Sequence, residues 1–445
     1  MFFKKILLVQ ITTINCVIIA IIEKGDTMEK GIIVGANTNQ LDDIFIKELE
    51  ELKNLCEACE IEILDTITQN IKSINPKYYI GTGKVKELKE LAAYHNVDCI
   101  IFNDELSPMQ ILNIEKATDK DIYDRTYIIL EIFNRRARTR EAKLQVEIAT
   151  LSYLLPRLAG LKRNLSRQAG SSGVLKSRGS GETLKEIEKR NINDRIIALK
   201  KELKQIIKAR KTQRINRKKN NIKVVALVGY TNSGKSSTLN ALLEHSNSLK
   251  EVAEKNKVFT TLDTSTRLIK LENYHVLVTD TVGFVKHLPK FLLDSFKSTL
   301  EEIKEADLIL HLVDSTSTLY KQEIEVTNNI LKDLVDKDIP KIYVFNKIDL
   351  IKEHFFIEDT YENIIRFSAK TKTNLNHLIK LMEDKLFEDM YLIENTFSYN
   401  NVKIVDDLIT NYEILEISYG DEGIYIKAKV DNKMYNLISE SKNEK

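Results

Sequence analysis

Cysteine is scarce: Cys16, Cys56, Cys59 and Cys99 are the four in 445 residues, too few and too scattered for a disulfide framework. Cys56 and Cys59 form a lone C-x-x-C with no second pair, so at most half of a four-thiolate zinc site is present. Reduced thiols are the reading that remains. Net charge is nearly absent too, at +2, which excludes a generally basic or acidic protein. What is there is 43% hydrophobic and 30% charged residues, enough of each to bury a core in a soluble chain. One core does not extend over this length, so two or three domains are expected.

The small net charge hides an uneven spread. Residues 135–219 carry 25 lysines and arginines against 7 acids, a surplus of 18, and the rest of the chain is acidic by 16. Such a split points to a polyanionic partner for one segment. Aromatic residues are almost missing there, with Tyr153 inside the segment and Phe133 just before it. Single-strand binders need stacking rings, so contacts to the phosphates of folded RNA are expected, with strong salt dependence. The other reading is a solvated, salt-bridged helix pair, although seven acids cannot neutralise 25 bases.

At the N-terminus, a short basic stretch precedes the mostly apolar residues 6–22, the pattern of a signal peptide or marginal anchor. Gln10, Thr12, Thr13 and Asn15 interrupt it, and no A-x-A-type cleavage site follows. Lys24, Gly25, Asp26 and Thr27 lead into Met28. Their permitted codons include AAA-GGA-GAT-ACA, a purine-rich, ribosome-binding-site-like string just upstream of an ATG. Translation is expected to start at Met28, with residues 1–27 as upstream read-through. A retained targeting segment, with peripheral membrane association, is the alternative.

Periodicity sets out an α/β multidomain chain: an N-terminal α/β domain with a long helical hairpin, a P-loop domain and a small α+β C-terminal domain. In residues 28–125, strands at 32–34, 61–64 and 99–102 alternate with helices at 41–58 and 85–95, as in parallel α/β units. Gly81-Thr82-Gly83-Lys84 lacks a phosphate loop's spacer and hydroxyl and is read as a turn into a helix. Residues 126–221 read as a hairpin. One long helix is expected over 126–158, with Leu144, Ile148, Leu151 and Leu155 as its seam, and a second over 182–219, with Ile192, Ile196, Leu199, Leu203 and Ile206. The glycine- and serine-rich residues 160–181 join them. Residues 222–392 alternate buried strands (224–228, 275–279, 308–313, 342–345) with helices, and residues 393–445 form the appendix.

Chemistry concentrates in the third segment. Gly229, Tyr230, Thr231, Asn232, Ser233, Gly234, Lys235 and Ser236 fit G-x-x-x-x-G-K-[ST] directly after a strand. Bare amides can surround phosphate oxygens only where no side chain intrudes, hence the glycines. Lys235 would reach the β- and γ-phosphates, and the Ser236 hydroxyl would ligate Mg²⁺. Asp280, Thr281, Val282 and Gly283 follow another strand; the Asp280 carboxylate would hold Mg²⁺ through water, and the Gly283 N–H would meet the γ-phosphate. Asn346, Lys347 and Asp349 end the next strand as N-K-x-D. Guanine offers two donors, N1–H and the 2-amino group, that one carboxylate accepts, whereas adenine presents an acceptor at N1. Ser368, Ala369 and Lys370 follow, with the Ala369 N–H available to guanine O6.

Between these motifs lie Phe259, Thr260, Thr261, Leu262 and Asp263. A switch segment must supply a hydroxyl to Mg²⁺ and an N–H to the γ-phosphate. Thr261 is assigned that role, with Thr260 as its rival; Lys235, Thr261 and Gly283 are the expected catalytic groups, and Ser236, Thr261 and Asp280 the metal ligands. Phe284 stands where many GTPases carry a water-orienting glutamine. Slow intrinsic hydrolysis and an inward-packed ring are expected.

Four blocks resemble one family, the HflX-type GTPases of the translation-factor-related class. They are residues 79–88 (Tyr79 to Leu88), residues 135–147 with 153–157 (Arg135 to Glu147, Tyr153 to Arg157), residues 259–263, and residues 280–289 (Asp280 to Pro289). The likeness runs from about Met28 to the C-terminus. It implies an N-terminal domain, helical hairpin, G domain and small C-terminal domain, and a monomer that binds GTP or GDP with Mg²⁺. It also implies cytoplasmic binding to the large ribosomal subunit and its rRNA, and separation of stalled ribosomes. Two departures stand out: Ser180 and Thr264 replace prolines usual in the family. A GTP-gated binding module with little turnover is the other functional class. A tRNA-modifying GTPase would need a further active-site cysteine or cofactor domain, and neither is visible.

Overall fold

The computed structural model describes residues 28–38, 41–157, 180–219, 222–246, 265–272, 274–281, 283–286, 289, 291–292, 302–335, 337–351, 361–388, 390–421, 423–430 and 432–443. The expected read-through segment 1–27, the linking residues 158–179 and the switch residues Phe259, Thr260, Thr261, Leu262, Asp263 and Thr264 lie outside them, as does Val282. The chain divides into two compact units, the first ending at Ile129 and the second beginning at Leu130.

The first unit is built on an all-parallel sheet in the order β2-β1-β3-β4, with β1 Glu29–Asn37, β2 Ile61–Asn70, β3 Cys99–Phe102 and β4 Asp121–Asp124. Central strand β1 is buried from Gly31 onward, which is why its residues read as an unbroken apolar run rather than an alternation. Helices α1 (Asp42–Ala58), α2 (Thr82–Tyr94) and α3 (Pro108–Thr118) connect the strands. Gly81 precedes α2, and its N–H donates to Gln69 Oε1 at 2.9 Å; the turn is entered from the loop after β2. Cys56, Cys59 and Cys99 are buried thiols outside any disulfide among the described residues.

The expected single helix over 126–158 is two: α4 (Arg125–Arg136) and α5 (Arg140–Leu154). Thr139 is extended (ψ 156°), and its hydroxyl accepts from Ala142 N at 3.1 Å. A threonine that caps a new helix stops the old one from running through. Helix α6 (Ser180–Lys219) lies antiparallel to α5. Arg140 meets Glu202 and Arg195 meets Glu147, each at 2.7 Å, so positions fall along one helix as they rise along the other. Between them Leu144, Ile148 and Leu151 pack on Ile196 and Leu199, flanked by Ile192, Leu203 and Ile206.

The second unit also holds a six-stranded sheet in the order β10-β9-β8-β5-β7-β6. Strands β5 (Val224–Gly229), β7 (His275–Asp280), β8 (Leu308–Asp314), β9 (Lys341–Asn346) and β10 (Ile364–Arg366) pair in parallel. Strand β6 (Ser265–Lys270) pairs antiparallel with β7. Helices α7 (Lys235–His245), α8 (Tyr320–Leu334) and α9 (Leu375–Leu386) cover it. A final antiparallel sheet, β11-β13-β12, comprises β11 Tyr391–Phe397, β12 Glu413–Gly420 and β13 Gly423–Val430. Helices α10 (Val402–Asn411) and α11 (Asn432–Asn443) bury its core residues Val405, Leu408, Met434 and Ile438.

Candidate nucleotide site

The parallel strands of the six-stranded sheet end together, and their carboxyl ends carry every described site residue. This is where open α/β sheets bind ligands. Strand β5 runs into the loop from Gly229 to Gly234, and α7 starts at Lys235. Gly234 has φ +91°, and a Cβ there would fall on the Asn346 amide; one at Gly229 would fall on Leu312 O. Neither position tolerates a side chain, so both glycines are structural as well as open to a phosphate. Thr231, Ser233 and Lys235 are buried, whereas Asn232 (φ +61°) is exposed.

Lys235 Nζ donates to Gly229 O at 3.0 Å and Tyr230 O at 2.7 Å. Burial pushes its pKa down to about 8; the Lys347 charge acts in the same direction, and Asp280 opposes. Ser236 Oγ donates to Asp280 Oδ2 at 2.8 Å, so two of the three expected metal ligands come together; the third, Thr261, is outside the described residues. Thr281 turns inward, its hydroxyl donating to Leu227 O at 2.6 Å. Gly283 sits against the P-loop: a Cβ there would lie 3.0 Å from Thr231 Cγ2 and 3.1 Å from Lys235 Nζ. Phe284 is buried among Ala226, Val228, Ile303 and Ile309, as the inward-packed reading expects.

At the N-K-x-D end, where base recognition is expected, Asp349 is exposed and its Oδ1 accepts from Ser368 Oγ at 2.6 Å. The same hydroxyl accepts from Thr371 N at 3.1 Å, fixing the direction of its proton toward the carboxylate. Asn346 is buried and braces two loops. Its Nδ2 donates to Ser233 O at 2.9 Å, and its Oδ1 accepts from Ala369 N at 3.0 Å. The Ala369 amide assigned to guanine O6 is therefore engaged with Asn346, and it reaches a base only by sharing or leaving that bond. Lys347 (φ +65°) holds Asp314 Oδ2 at 2.6 Å; Lys370 is exposed. Sequence reasoning passed over Asp314, whose signal is a strand ending in aspartate, and His311 beneath the site. Burial drives the His311 pKa down to about 3, with Lys341 and Lys235 adding to it.

A glycine cradle, a lysine at its floor, paired hydroxyl and carboxylate oxygens, and an N-K-x-D carboxylate fixed by a serine hydroxyl are the features of a P-loop GTPase domain. Family models match in three stretches: a GTP-binding GTPase N-terminal region over residues 47–134, a GTP-binding GTPase middle region over 136–217, and a 50S ribosome-binding GTPase over 224–347. GTPase HflX of Caldanaerobacter subterraneus subsp. tengcongensis is 40% identical, the match covering 94% of this chain and 96% of that one. GTPase HflX of Flavobacterium psychrophilum is 45% identical over 73% and 76%, and that of Escherichia coli K12 is 34% identical over 82% and 84%. The chain belongs to the HflX family of GTPases, and GTP hydrolysis is its reaction. A GTP-binding protein of Sulfolobus solfataricus, solved in complex with GDP, matches at 24% identity and a TM-score of 0.44, over 81% of this chain and 99% of that one. Among the described residues, no helix is long and apolar enough to cross a membrane.

Proposed function

We propose that this chain uses its GTPase cycle to control contact with the large ribosomal subunit and to separate stalled ribosomes, acting as a cytoplasmic monomer. The observation that carries this is the basic hairpin: residues 135–219 hold a positive surplus of 18 in a segment of the family's own middle region. The match of the G domain to a family described as 50S ribosome-binding supports the same partner. Tyr153 is buried with Arg157 over its ring at 3.6 Å from the centroid, so it offers no platform to a base. Phosphate contacts to folded rRNA fit that chemistry.

In the nucleotide cycle, the P-loop amides and Lys235 hold the phosphates while Asp349, oriented by Ser368, accepts the two guanine donors. Ser236 and Asp280 offer hard oxygens 2.8 Å apart, a donor set that suits Mg²⁺. The ion, bound with the nucleotide, offsets phosphate charge. Gly283 presents its amide to the γ-phosphate, and Thr261 supplies the switch hydroxyl. Phe284 has no group that orders water, and its ring is buried, so hydrolysis by the chain alone is slow and the partner completes the site. Turnover of GTP measured with and without purified large subunits tests this reading. Stimulation by the subunit is expected; GTP-dependent binding without stimulation would make the chain a gated binding module instead.

A further inference from the structure

In a parallel ladder, one residue bonds the two positions that flank its opposite number. Phe284 does this against the P-loop. Its N–H donates to Gly229 O at 3.1 Å, and its C=O accepts from Thr231 N at 2.8 Å, so Phe284 bridges Tyr230. The next rung of such a ladder would take the Lys286 N–H to Thr231 O. The P-loop turns away at Thr231 and Asn232, where φ reaches +61°. The Tyr230 phenol serves in its place: Lys286 N–H donates to the Tyr230 hydroxyl oxygen at 2.8 Å. A side chain thus adds one rung beyond what the P-loop backbone supplies.

Gly283 is the residue immediately before this ladder, pressed against Thr231 and the Lys235 ammonium. Its peptide is held downstream by both Phe284 bonds, by the buried Phe284 ring and by the clamp on Lys286. We infer that Tyr230 is a positioning residue for GTP hydrolysis. Its phenol keeps residues 284–286 aligned on the P-loop, and so aims the Gly283 amide at the γ-phosphate. The inference rests on the proposed role of Gly283. Tyr230 bears no proton that the reaction needs; what it supplies is a fixed acceptor for the Lys286 N–H.

Tyr230→Phe removes one oxygen and keeps the ring. A neutral hydrogen bond contributes roughly a fivefold factor in an equilibrium, so kcat is expected to fall about fivefold while the KM for GTP stays within about twofold. Hydrogen exchange at the Lys286 amide, read at residue resolution on the GDP-bound full chain, is expected to speed up by a similar factor. An unchanged kcat, an unchanged Lys286 exchange rate, or a KM that rises in step with GDP dissociation would each overturn the inference, the last by showing plain P-loop damage. Gly283→Pro, which removes the amide hydrogen itself, measured in parallel, separates the two claims. A loss of kcat there beside a normal Tyr230→Phe sinks the phenol's role alone, whereas a normal Gly283→Pro removes the γ-phosphate assignment and this inference with it.

Discussion

Replacing Asp349 by asparagine gives the sharpest test of base recognition, because the structure fixes which way the new amide must face. Ser368 Oγ donates to Asp349 Oδ1 at 2.6 Å and is itself an acceptor for Thr371 N. Its proton therefore demands an oxygen at that position. In Asp349→Asn the amide oxygen stays on Ser368, and the NH₂ turns to the base edge. Guanine presents N1–H and a 2-amino group there, so two charge-assisted acceptor contacts, about 1.5–3 kcal/mol each, become donor against donor. The sum, roughly 3–6 kcal/mol, corresponds to a loss of about 10²- to 10⁴-fold in GDP affinity. Xanthine carries a carbonyl where guanine has the amino group and accepts from the new NH₂, so XDP affinity is expected to rise. Titration calorimetry with GDP and XDP on both proteins measures this. A variant that binds GDP within about threefold of the parent would refute the reasoning, since no acceptor of that strength could then have been removed.

Three further outcomes follow from the same geometry. Gly234→Ala forces a side chain into φ +91° and onto the Asn346 amide; left-handed strain of about 1–2 kcal/mol plus a lost Asn346–Ser233 bond of about 1 kcal/mol should lower stability in a thermal melt and abolish GDP binding. His311 stays neutral in the native chain down to about pH 3, whereas an unfolded histidine protonates near its ordinary value. The unfolded state thus binds the extra proton in that window, and stability falls as the pH drops below about 6.5, by about 1.4 kcal/mol per unit. His311→Gln should flatten urea-unfolding stability between pH 7 and pH 5 by about 2 kcal/mol, and an unaltered slope would exclude His311 as the cause. Reversing the charge of Lys200, Lys201, Lys204 and Lys208 on α6 should weaken large-subunit binding. It should also make the log K against log salt plot shallower by about 3, given one phosphate per lysine; unchanged affinity across the salt series would remove α6 from the footprint.

Much of the site was legible because its chemistry sits in short contiguous strings at strand ends. The P-loop, Asp280 to Gly283, and Asn346 to Asp349 each announce themselves by spacing after an apolar run, and the sheet places them together. The seam of α5 and α6 was legible for the same reason, since a local repeat dictates it, except at Leu155, which falls past the end of α5 in a short 3-10 turn and outside the packed cluster. Long-range pairing was not. That Asn346 spends both ends of its amide on Ser233 and Ala369, or that the Tyr230 phenol replaces a missing carbonyl, depends on loops far apart in the chain. Strand β6 was passed over because Ser265–Lys270 mixes polar and apolar residues and pairs only by returning on β7. The break at Thr139 was missed for a subtler reason: the apolar spacing of α5 reads as a continuation, and only the capping hydroxyl reveals the stop.

The measurement closest to the central claim is parallel titration of the purified full chain, in magnesium buffer, with GDP and with ADP. One GDP per chain is expected, with ADP weaker by about a hundredfold or more, because Asp349 meets an acceptor on adenine. Equal affinities, or no binding of either, would contradict the account.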